Sequence, residues 1–375
     1  MNLKKKVKKG MIILISIIAI IIIAVLIFVN TSRFGNTPSG ERKALVEASP
    51  NYREDKFQNL SYTQQLTGDK NMFMSMVDFL FVKKDRLSPA VDLPAVKTDL
   101  LNLDKEKDIL VWFGHSSYFI QVDGKRILVD PVFSEAASPV SFFNKAFKGT
   151  DIYHPEDMPD IDYLFISHDH WDHLDYPTVM ALKDRIGKVI CGLGVGEHFE
   201  YWGFDMDKVV EMDWNSEASL NDGFKVDCLP ARHFSGRGLS PNQSLWVSFM
   251  LQTPTMKIYL GGDSGYDAFF KQIGERFGEI DLAILENGQY DQGWKYIHMM
   301  PEETVRAAKD VHAKRLLPVH NSKFALGNHP WDQPLKDVTA AAEKEGQPIL
   351  TPMIGEIVNL KDSTQQFKHW WLGVE

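Results

Sequence analysis

The hydrophobic pattern of the chain begins with one long apolar run. Residues 11–29 contain a single polar side chain, Ser16, and five lysines precede them within residues 4–9. A helix of this length rises about 28 Å at ~1.5 Å per residue, close to the ~30 Å hydrocarbon core of a bilayer. Because lysines that flank such a helix stay on the cytoplasmic side, the pattern predicts a single-pass membrane anchor with a cytoplasmic N-terminus.

A cleaved signal peptide is the alternative interpretation of this run. The apolar part of a signal peptide is usually ~7–15 residues long and ends in small residues. Residues 28–32 read Phe-Val-Asn-Thr-Ser and contain neither such a cleavage site nor a lipid-acceptor cysteine. We therefore expect the anchor to be retained in the cell membrane, with everything after residue 30 on the extracytoplasmic side.

From residue 108 the pattern changes to short apolar runs of the kind that form β-strands. They occupy residues 109–113, 118–122, 126–129, 163–166, 188–190, 208–211, 225–229, 245–251, 256–260, 282–285 and 315–319. Asp123 and Gly124 separate two of these runs and predict a tight hairpin turn. Helical stretches at residues 301–311 and 334–345 lie between or after later strands. The order predicts an α/β fold, an αββα sandwich of two sheets packed face to face with helices outside.

The same pattern divides the chain into four parts. We expect a lysine-rich tip and transmembrane anchor (1–30), a linker and N-terminal arm (31–107), a main domain (108–360) and a C-terminal tail (361–375). Within the arm, residues 72–82 are dense in Met and Phe. This stretch is either a helix packed on the core or a surface that rests in the membrane interface and admits an acyl chain.

Histidines and carboxylates are concentrated in residues 167–175, Ser-His-Asp-His-Trp-Asp-His-Leu-Asp, directly after an apolar strand. Imidazole with carboxylate is the ligand mixture that suits Zn²⁺ and similar divalent ions. His168 and His170 share one face of an extended turn, because side chains two residues apart point the same way. Asp172 and His173 fall past the turn, where a helix that starts near residue 175 re-aims them. The spacing predicts two adjacent metal pockets; an exposed polar loop with scattered histidines is the plainer alternative.

Three later strands are followed by residues that suit the same metals. His233 comes after the strand at 225–229, Asp263 follows the strand at 256–260 and two glycines, and His320 follows the strand at 315–319. Strand ends that converge at one edge of a sheet commonly assemble a functional site. We expect these three residues to join the first histidine cluster.

Charge and cysteine content narrow the classes of function. The net charge is −9, and without its first ten residues the chain carries 36 basic and 50 acidic residues, a net charge of −14. Such a body without a basic cluster disfavours a nucleic-acid partner. Cys191 and Cys228 are the only cysteines of the sequence, and both lie in apolar, strand-like runs. They predict buried free thiols rather than a disulfide framework or a cysteine-based zinc site.

On these residues the sequence resembles the metallo-β-lactamase-fold hydrolases. Five motifs match in order: Asp130 after an apolar strand, the run at 168–173, His233, Asp263 and His320. Within that fold the resemblance is greatest to the branch of the N-acyl-phosphatidylethanolamine phospholipases D. Segments 112–116, 262–266, 297–303 and 320–326 carry it. The ascorbate-6-phosphate lactonases are more distant relatives with the same metal residues.

The resemblance implies a site for two zinc ions, or for iron or manganese in their place. In that family the first metal is held by residues that match His168, His170 and His233. The second is held by those that match Asp172, His173 and His320, with the match of Asp263 bridging both. The match of Asp130 orients the motif loop without binding metal.

The resemblance also implies a reaction. A hydroxide that bridges the two metals would be the nucleophile, so that no serine or cysteine nucleophile is required. Asp172 and Asp263 would lie at the reacting centre. His115 and His298 are candidates for help with the leaving group or the developing negative charge, and the alternative for each is a structural histidine that packs or caps. Arg232 and Arg237 flank His233 in a glycine-rich loop that could bring a guanidinium to a phosphate; for Arg237 an ordinary surface pair is the alternative.

Together these features imply a membrane-anchored, binuclear zinc-dependent phosphodiesterase of the N-acyl-phosphatidylethanolamine phospholipase D type, acting on a lipid or a small phosphodiester. A lactonase, or another hydrolase of small esters or sugar phosphates, is the alternative on the same metals. A metal-binding scaffold or sensor that catalyses nothing is the non-enzymatic alternative, and it predicts an incomplete ligand set.

Overall fold

The structure is a computed structural model that describes residues 3–68, 74, 77, 82 and 84–374. It begins with helix α1 (Leu3–Val29), whose side chains from residue 5 to residue 28 are exposed. By length and composition α1 is a candidate membrane span, although an N-terminal signal sequence passes the same test. The Met- and Phe-rich stretch at 72–82 lies mostly outside the described residues, so its two interpretations stay predictions.

The segment that follows α1 packs against the main body. It contains helix α2 (Gly40–Ala48) and a small hairpin of strands β1 (Tyr52–Arg53) and β2 (Lys56–Phe57). Val46 and Phe57 are buried in the largest hydrophobic cluster. Near the other end of the chain, Trp370 and Trp371 are buried in the same cluster. Residues on both sides of the main domain therefore contribute to its core.

Seven strands of the described chain form the first sheet. They are β3 (Ile109–Trp112), β4 (Tyr118–Val122), β5 (Lys125–Val129), β6 (Ile161–Ile166), β7 (Ile186–Gly192), β8 (Val209–Met212) and β15 (Ile357–Asn359), in the spatial order β15-β3-β4-β5-β6-β7-β8. The strands from β5 to β8 are parallel, and the pairs from β15 to β5 are antiparallel. The predicted hairpin turn is confirmed: Asp123 and Gly124 have φ of 46° and 74° and connect β4 to β5.

The second sheet is built from six strands within the described residues. They are β9 (Glu217–Ser219), β10 (Lys225–Leu229), β11 (Ser248–Gln252), β12 (Lys257–Leu260), β13 (Leu282–Glu286) and β14 (Leu316–Val319), in the spatial order β14-β13-β12-β11-β10-β9. Strands β12, β13 and β14 are parallel to one another. Strand β10 points the same way as β12, because both pair antiparallel with β11. Their carboxyl ends therefore meet at one edge of this sheet.

Helices cover the outer face of each sheet. On the first sheet these are α3 (Tyr176–Leu182) and α4 (Gly196–Tyr201); on the second they are α5 (Phe269–Phe277), α6 (Pro301–Asp310) and α7 (Gln333–Glu345). Short 3₁₀ turns occur at Ser32–Phe34, Pro155–Asp157, Lys183–Arg185, Met206–Lys208, Asn221–Gly223 and Gln292–Trp294.

The period-two pattern of the strands decides which side chain enters which layer. In β3, Leu110 and Trp112 belong to the cluster between the sheets, whereas Ile109 and Val111 belong to the cluster beneath α3 and α4. Side chains alternate in this way because successive residues of a strand point to opposite faces. The expected αββα sandwich is confirmed.

One predicted strand is shorter than expected, for a reason that bears on the site. The apolar run at 245–251 becomes a strand only from Ser248, and the preceding residues bind elsewhere. The main-chain N–H of Leu245 donates to the carbonyl of Leu193, and that of Val247 donates to the carbonyl of Ser167. These bonds join the run to the first sheet, directly beside the histidine-rich loop.

Candidate metal centre

The histidine-rich loop connects β6 to α3. It makes a tight turn in which the N–H of His173 donates to the carbonyl of His170 at 3.1 Å. Helix α3 begins at Tyr176, as predicted, with Asp175 at its N-cap position. The Asp175 carboxylate accepts hydrogen bonds from Thr178 Oγ1 at 2.5 Å and from Ser134 Oγ at 2.8 Å. The loop is therefore held firmly where it enters the helix.

Three imidazoles form the first donor group, His168, His170 and His233. Nε2 of His168 lies 2.9 Å from Nδ1 of His170, which lies 3.2 Å from Nε2 of His233. Nδ1 of His233 is 3.0 Å from the carbonyl oxygen of Ile297 and must carry the proton of that ring. Its Nε2 lone pair consequently points at His170. Converging ring nitrogens of this kind suit a metal ion.

The second donor group surrounds His173. Its Nε2 lies 3.2 Å from Oδ2 of Asp263 and 3.6 Å from Oδ2 of Asp172. His115, Asp172, His173 and His320 also bring one donor atom each within 4.8 Å of one another. Within the part of the chain that the structure describes, Nε2 of His173 and Oδ1 of Asp263 are buried and have no partner in hydrogen-bonding geometry. Such orphaned donor atoms between imidazoles and carboxylates fit a divalent cation.

Asp263 lies between the two groups. Its Oδ2 is 3.2 Å from Nε2 of His173, 3.8 Å from Nε2 of His233 and 3.9 Å from Nε2 of His168. Its Oδ1 is 3.2 Å from Nδ1 of His320. Oδ2 of Asp263 therefore faces donors of both groups, and Oδ1 faces His320 of the second group.

Asp130 supports the loop from behind. Its Oδ1 accepts from the N–H of Ser167 at 2.8 Å, and its Oδ2 accepts from Oγ of Ser167 at 2.6 Å. The same Oδ2 lies 2.8 Å from Nδ1 of His173. This contact places the ring proton of His173 on Nδ1 and leaves Nε2 as a lone pair directed into the centre.

His115 is fully buried beside the second group. Its Nε2 lies 2.8 Å from Oδ2 of Asp172, and its main chain exchanges hydrogen bonds with Asn321 and His320. His115, Asp130 and His320 have φ of 52°, 41° and 68°, in the left-handed region that side-chain-bearing residues seldom adopt. Backbone strain of this kind is concentrated at functional sites, where surrounding contacts enforce it.

His298 and Glu286 form a pair that borders both groups. Nδ1 of His298 lies 3.2 Å from Oε2 of Glu286, and the His298 ring stacks on His320 with centroids 5.1 Å apart. Glu286 is entirely buried and also accepts from the N–H of Met299. Sequence reasoning did not include Glu286. Its signal was a carboxylate that ends an apolar strand, the same placement that drew attention to Asp263.

The two arginines beside His233 are bound by protein oxygens. Arg232 donates to the carbonyls of Tyr62 and Tyr266 and to Thr63 Oγ1, and Arg237 donates to three main-chain carbonyls. Asp169 also has structural contacts: its carboxylate accepts from the N–H of Gly236 at 2.7 Å and from Ser244 Oγ at 2.8 Å. These contacts join the histidine-rich loop to the loop that carries His233.

Burial and charge set the protonation of the donors. Burial lowers the pKa of His168, His170, His233 and His320, which leaves these rings neutral and able to bind metal. Burial also opposes a charge on His173, but Asp263, Asp172 and Asp130 raise its pKa well above its usual value. Burial alone would raise the pKa of Asp263, whereas His173 and His320 lower it strongly. The carboxylates at this centre thus attract positive charge, which a metal ion can supply.

The neighbouring pair of His298 and Glu286 also has shifted pKa values. Burial raises the pKa of Glu286 to about 7, although His298 opposes the rise. Burial alone would lower the pKa of His298, but the Glu286 carboxylate raises it above its usual value. A proton is therefore held within the His298–Glu286 pair near neutral pH.

Comparisons with known proteins agree with this geometry. The family model described as β-lactamase superfamily domain matches residues 125–321. A Mycobacterium tuberculosis protein of uncharacterised function is 39% identical over 338 residues, which cover 88% of this chain and 89% of that protein. The N-acyl-phosphatidylethanolamine-hydrolyzing phospholipase D 1 of Caenorhabditis elegans is 30% identical over 273 residues, which cover 67% of this chain and 75% of that enzyme.

A solved structure supports the fold independently. Igni18, a metallo hydrolase from the archaeon Ignicoccus hospitalis, aligns with a TM-score of 0.51 and 20% identity over 67% of this chain and 97% of its own. At this identity the likeness concerns the fold alone. The matched family model and relatives, together with the αββα sandwich, identify the chain as a metal-dependent hydrolase that belongs to the metallo-β-lactamase superfamily.

Proposed function

We propose that this protein is a membrane-anchored, binuclear zinc-dependent phosphodiesterase of the N-acyl-phosphatidylethanolamine phospholipase D type. The observation that carries the proposal is the position of Asp263, whose two oxygens lie 3.2 Å from His173 and from His320 while Oδ2 also faces His168 and His233. A carboxylate placed in this way can serve two metal ions at once. The likeness to the Caenorhabditis elegans enzyme supports the substrate class.

The proposed ligand set follows the two donor groups. His168, His170 and His233 would hold one zinc ion, Asp172, His173 and His320 the other, and Asp263 would bridge them. When bound, two such ions activate water as a nucleophile near neutral pH and polarise a phosphoryl oxygen.

The residues behind the ligands are assigned positioning roles. Asp130 would fix the ring orientation of His173 through the 2.8 Å contact with Nδ1. His115 would fix the orientation of the Asp172 carboxylate, because Nε2 of His115 lies 2.8 Å from Oδ2 of Asp172 and the His115 side chain is completely buried. We therefore place His115 behind the reacting centre and not against the substrate.

His298 is the residue we assign to the leaving group. It is 9% exposed, borders the donor group of His233 and Asp263, and is held through Nδ1 by Glu286. A histidine oriented by a buried carboxylate can deliver a proton to the alkoxide that leaves a phosphodiester. Glu286 would hold the ring in place during that transfer.

The membrane helix supports a lipid substrate. Phe34, five residues after the end of α1, packs edge-on against Trp171 of the histidine-rich loop with ring centroids 4.9 Å apart. If α1 spans the membrane, the metal centre is held next to the bilayer surface. A phospholipid headgroup would then reach the site without leaving the membrane.

The proposal is tested on the purified full-length protein in detergent micelles. We expect about two equivalents of zinc per chain by mass spectrometry of metals, and hydrolysis of N-acyl-phosphatidylethanolamine that stops when a chelator removes them. Asp263→Ala and His170→Ala should lose zinc and activity together. His312→Ala is the matched control and should retain both. His312 is exposed and lies before β14, at the opposite end of that strand from His320.

Two further substrates separate the alternatives. A generic phosphodiester and an acyl lactone are assayed under the same conditions, each with and without chelator. Chelator-sensitive cleavage of the lactone alone would replace the proposal by the small-ester alternative. Bound zinc without cleavage of any substrate would favour a metal-binding scaffold, and activity that survives complete metal removal would contradict the mechanism.

A further inference from the structure

We propose that Arg237 is a positioning residue that couples the segment after the membrane helix to the metal-binding loop, so that seating of this segment raises metal affinity. We call residues 32–38 the strap. The inference rests on the proposed metal site and extends it to residues outside the ligand set. Four observations carry it: the contacts of Arg237, the contacts of the strap, the burial between them, and the space around one glycine.

Arg237 holds both ends of the turn that carries the ligands. Its Nη1 donates to the carbonyl of Asp169 at 2.9 Å and to the carbonyl of Leu174 at 2.5 Å. Asp169 lies between the ligands His168 and His170, and Leu174 directly follows His173. A single nitrogen thus fixes the distance between the beginning and the end of the ligand-bearing turn. The planar fork of arginine is suited to such multiple contacts, and lysine is not.

The same guanidinium also holds the strap. Its Nε and Nη2 donate to the carbonyl of Arg33 at 3.2 and 2.8 Å. Its Cζ lies 4.0 Å from the centre of the Trp171 ring, and Phe34 of the strap packs edge-on with the same ring. The strap, Arg237 and the metal-binding loop therefore form one contact unit around Trp171.

A second connection runs through His198. Nδ1 of this residue accepts from the N–H of Asn36 at 3.2 Å, and its Nε2 lies 3.2 Å from Oδ2 of Asp169. Ser32, at the start of the strap, accepts through its carbonyl from Nε1 of Trp202 at 2.7 Å. The strap thus reaches the metal-binding loop by two separate routes, one through Arg237 and one through His198.

The burial of Arg237 makes this arrangement sensitive to the strap. The side chain is 4% exposed, and its hydrogen bonds go to main-chain carbonyls of two segments that are distant in sequence, the strap and the metal-binding loop. If the strap leaves, the guanidinium loses the carbonyl of Arg33 and becomes open to water on that side. Its hold on Asp169 and Leu174 then weakens, because exposed hydrogen bonds compete with solvent.

Coupling of this kind acts in both directions. If a seated strap increases zinc affinity by a given factor, bound zinc must favour the seated strap by the same factor. The membrane anchor would consequently do more than recruit the enzyme to a surface. It would present the strap in the position that completes the metal-binding loop.

The chain offers a pair of glycines with which to test the strap. A Cβ at Gly35 would lie 2.1 Å from Nδ1 of His198, so in Gly35→Ala the strap or the His198 ring must move and their hydrogen-bonded contact is lost. Gly40 also has a positive φ, of 52°, but a Cβ there would meet no atom within 4 Å. Gly40→Ala is therefore the control, since it also places a Cβ at a positive φ but without the clash.

A buried arginine provides the control for Arg237. Arg315 donates to the carbonyls of Leu360 and Asp362, and it precedes β14, at the opposite end of that strand from His320. Arg237→Gln and Arg315→Gln both remove a guanidinium from main-chain carbonyls. Only the first should affect the metal-binding loop.

Zinc affinity is measured by chelator competition on full-length variants in detergent micelles. We expect Arg237→Gln and Gly35→Ala to weaken zinc binding by about tenfold or more. Loss of a contact that supports a metal ligand typically lowers metal affinity by about 10–100-fold. Arg315→Gln and Gly40→Ala should bind within about twofold of the wild type even if their melting temperatures fall. In the wild type, zinc should slow hydrogen exchange in a peptide that covers residues 32–38.

Each outcome has a defined meaning. Wild-type zinc affinity in both Arg237→Gln and Gly35→Ala would overturn the inference and leave the proposed function intact. Equal loss of affinity in the two control variants would also overturn it, because the effect would then be general destabilisation. A wild-type protein that binds no zinc would overturn the proposed function, and the inference with it.

Discussion

The side chain of Asn59 makes two hydrogen bonds with the main chain of His233. Nδ2 of Asn59 donates to the carbonyl of His233 at 2.8 Å, and its Oδ1 accepts from the N–H of His233 at 3.1 Å. Trp246 Nε1 donates to the same Oδ1 at 2.9 Å. Since the carbonyl of Ile297 fixes the ring of His233, both the backbone and the side chain of this proposed metal ligand are held.

Asn59→Ala is therefore expected to weaken zinc binding at the proposed site by about tenfold, because the backbone of the proposed ligand His233 loses its support. Zinc affinity of the full-length protein by chelator competition measures the effect. Asn51→Ala is the control: Asn51 belongs to the same segment, but its Nδ2 donates to Asp213 at 2.9 Å. Equal zinc affinity in the two variants would contradict the assigned role of Asn59.

Asp130→Asn tests the support of His173. Both carboxylate oxygens of Asp130 accept hydrogen bonds, Oδ1 from the N–H of Ser167 and Oδ2 from Ser167 Oγ and His173 Nδ1. An amide has only one accepting oxygen, so one of these contacts is lost and the proton of the His173 ring is no longer fixed on Nδ1. We expect zinc affinity and kcat/KM to fall by about 10–100-fold. Asp184→Asn, at an exposed aspartate, should change neither. An Asp130→Asn enzyme with unchanged zinc content and activity would rule out the positioning role.

His298→Asn separates proton transfer from metal binding. We expect kcat to fall by about 10²-fold or more while the zinc content stays at its wild-type value, because general acid help typically contributes that much. Glu286→Gln should lower kcat less, since the ring stays in place but its carboxylate partner is neutral. Loss of zinc in His298→Asn would instead indicate a ligand.

The buried Lys323 predicts a pH dependence of stability. It is 1% exposed and donates to the carbonyl of Val132 at 3.0 Å, with Asp151 Oδ1 3.9 Å away. Burial lowers the pKa of Lys323 to about 8, although Asp151 and Asp175 oppose the shift. The unfolded chain has a lysine pKa of about 10.4 and binds more protons than the folded protein between these values.

The sign follows from that difference in bound protons. Below pH 8 the ammonium is charged in both states and costs the folded state stability; this cost disappears as the pH rises from 8 to about 10.4. The wild type should gain about 3 kcal/mol of unfolding free energy relative to Lys323→Met across this window. Urea unfolding of both proteins at several pH values measures it, and parallel curves would contradict the assignment.

The predicted topology is tested with a protease. Added to intact cells whose outer envelope layers have been removed, it should digest the residues after α1 and spare the lysine-rich tip, because five lysines precede the apolar run. Digestion of the domain only after the membrane is permeabilised would show that the domain lies in the cytoplasm. Release of the intact domain without α1 would favour the cleaved signal peptide.

Local pattern predicted most of the fold. Strands β4 and β10 have the expected bounds, because each is an apolar run between polar residues. Strands β9 and β15 and helix α2 were not predicted: β9 and β15 are three residues long, and α2 buries a single side chain, Val46. Such short or mostly exposed elements carry little hydrophobic periodicity and depend on the neighbours they pair with.

The residues at the centre were visible in the sequence for a similar reason. The spacing of His168, His170 and His173 and the placement of Asp263 and His320 after apolar strands are local features, and parallel strands bring such ends together. Glu286 carried the same signal, a carboxylate that ends the apolar strand β13, and could have been included.

What the tertiary structure decided is how that centre is held. The sequence determined the anchor candidate, the sheet-forming runs and the donor residues, because these depend on neighbours along the chain. It did not place Arg237 on the carbonyl of Arg33 or Asn36 on His198, contacts between residues 204 and 162 positions apart. Those contacts depend on where buried polar groups find partners once the sheets have packed. The pattern of residues along the chain contains no information about which distant segments come together in space.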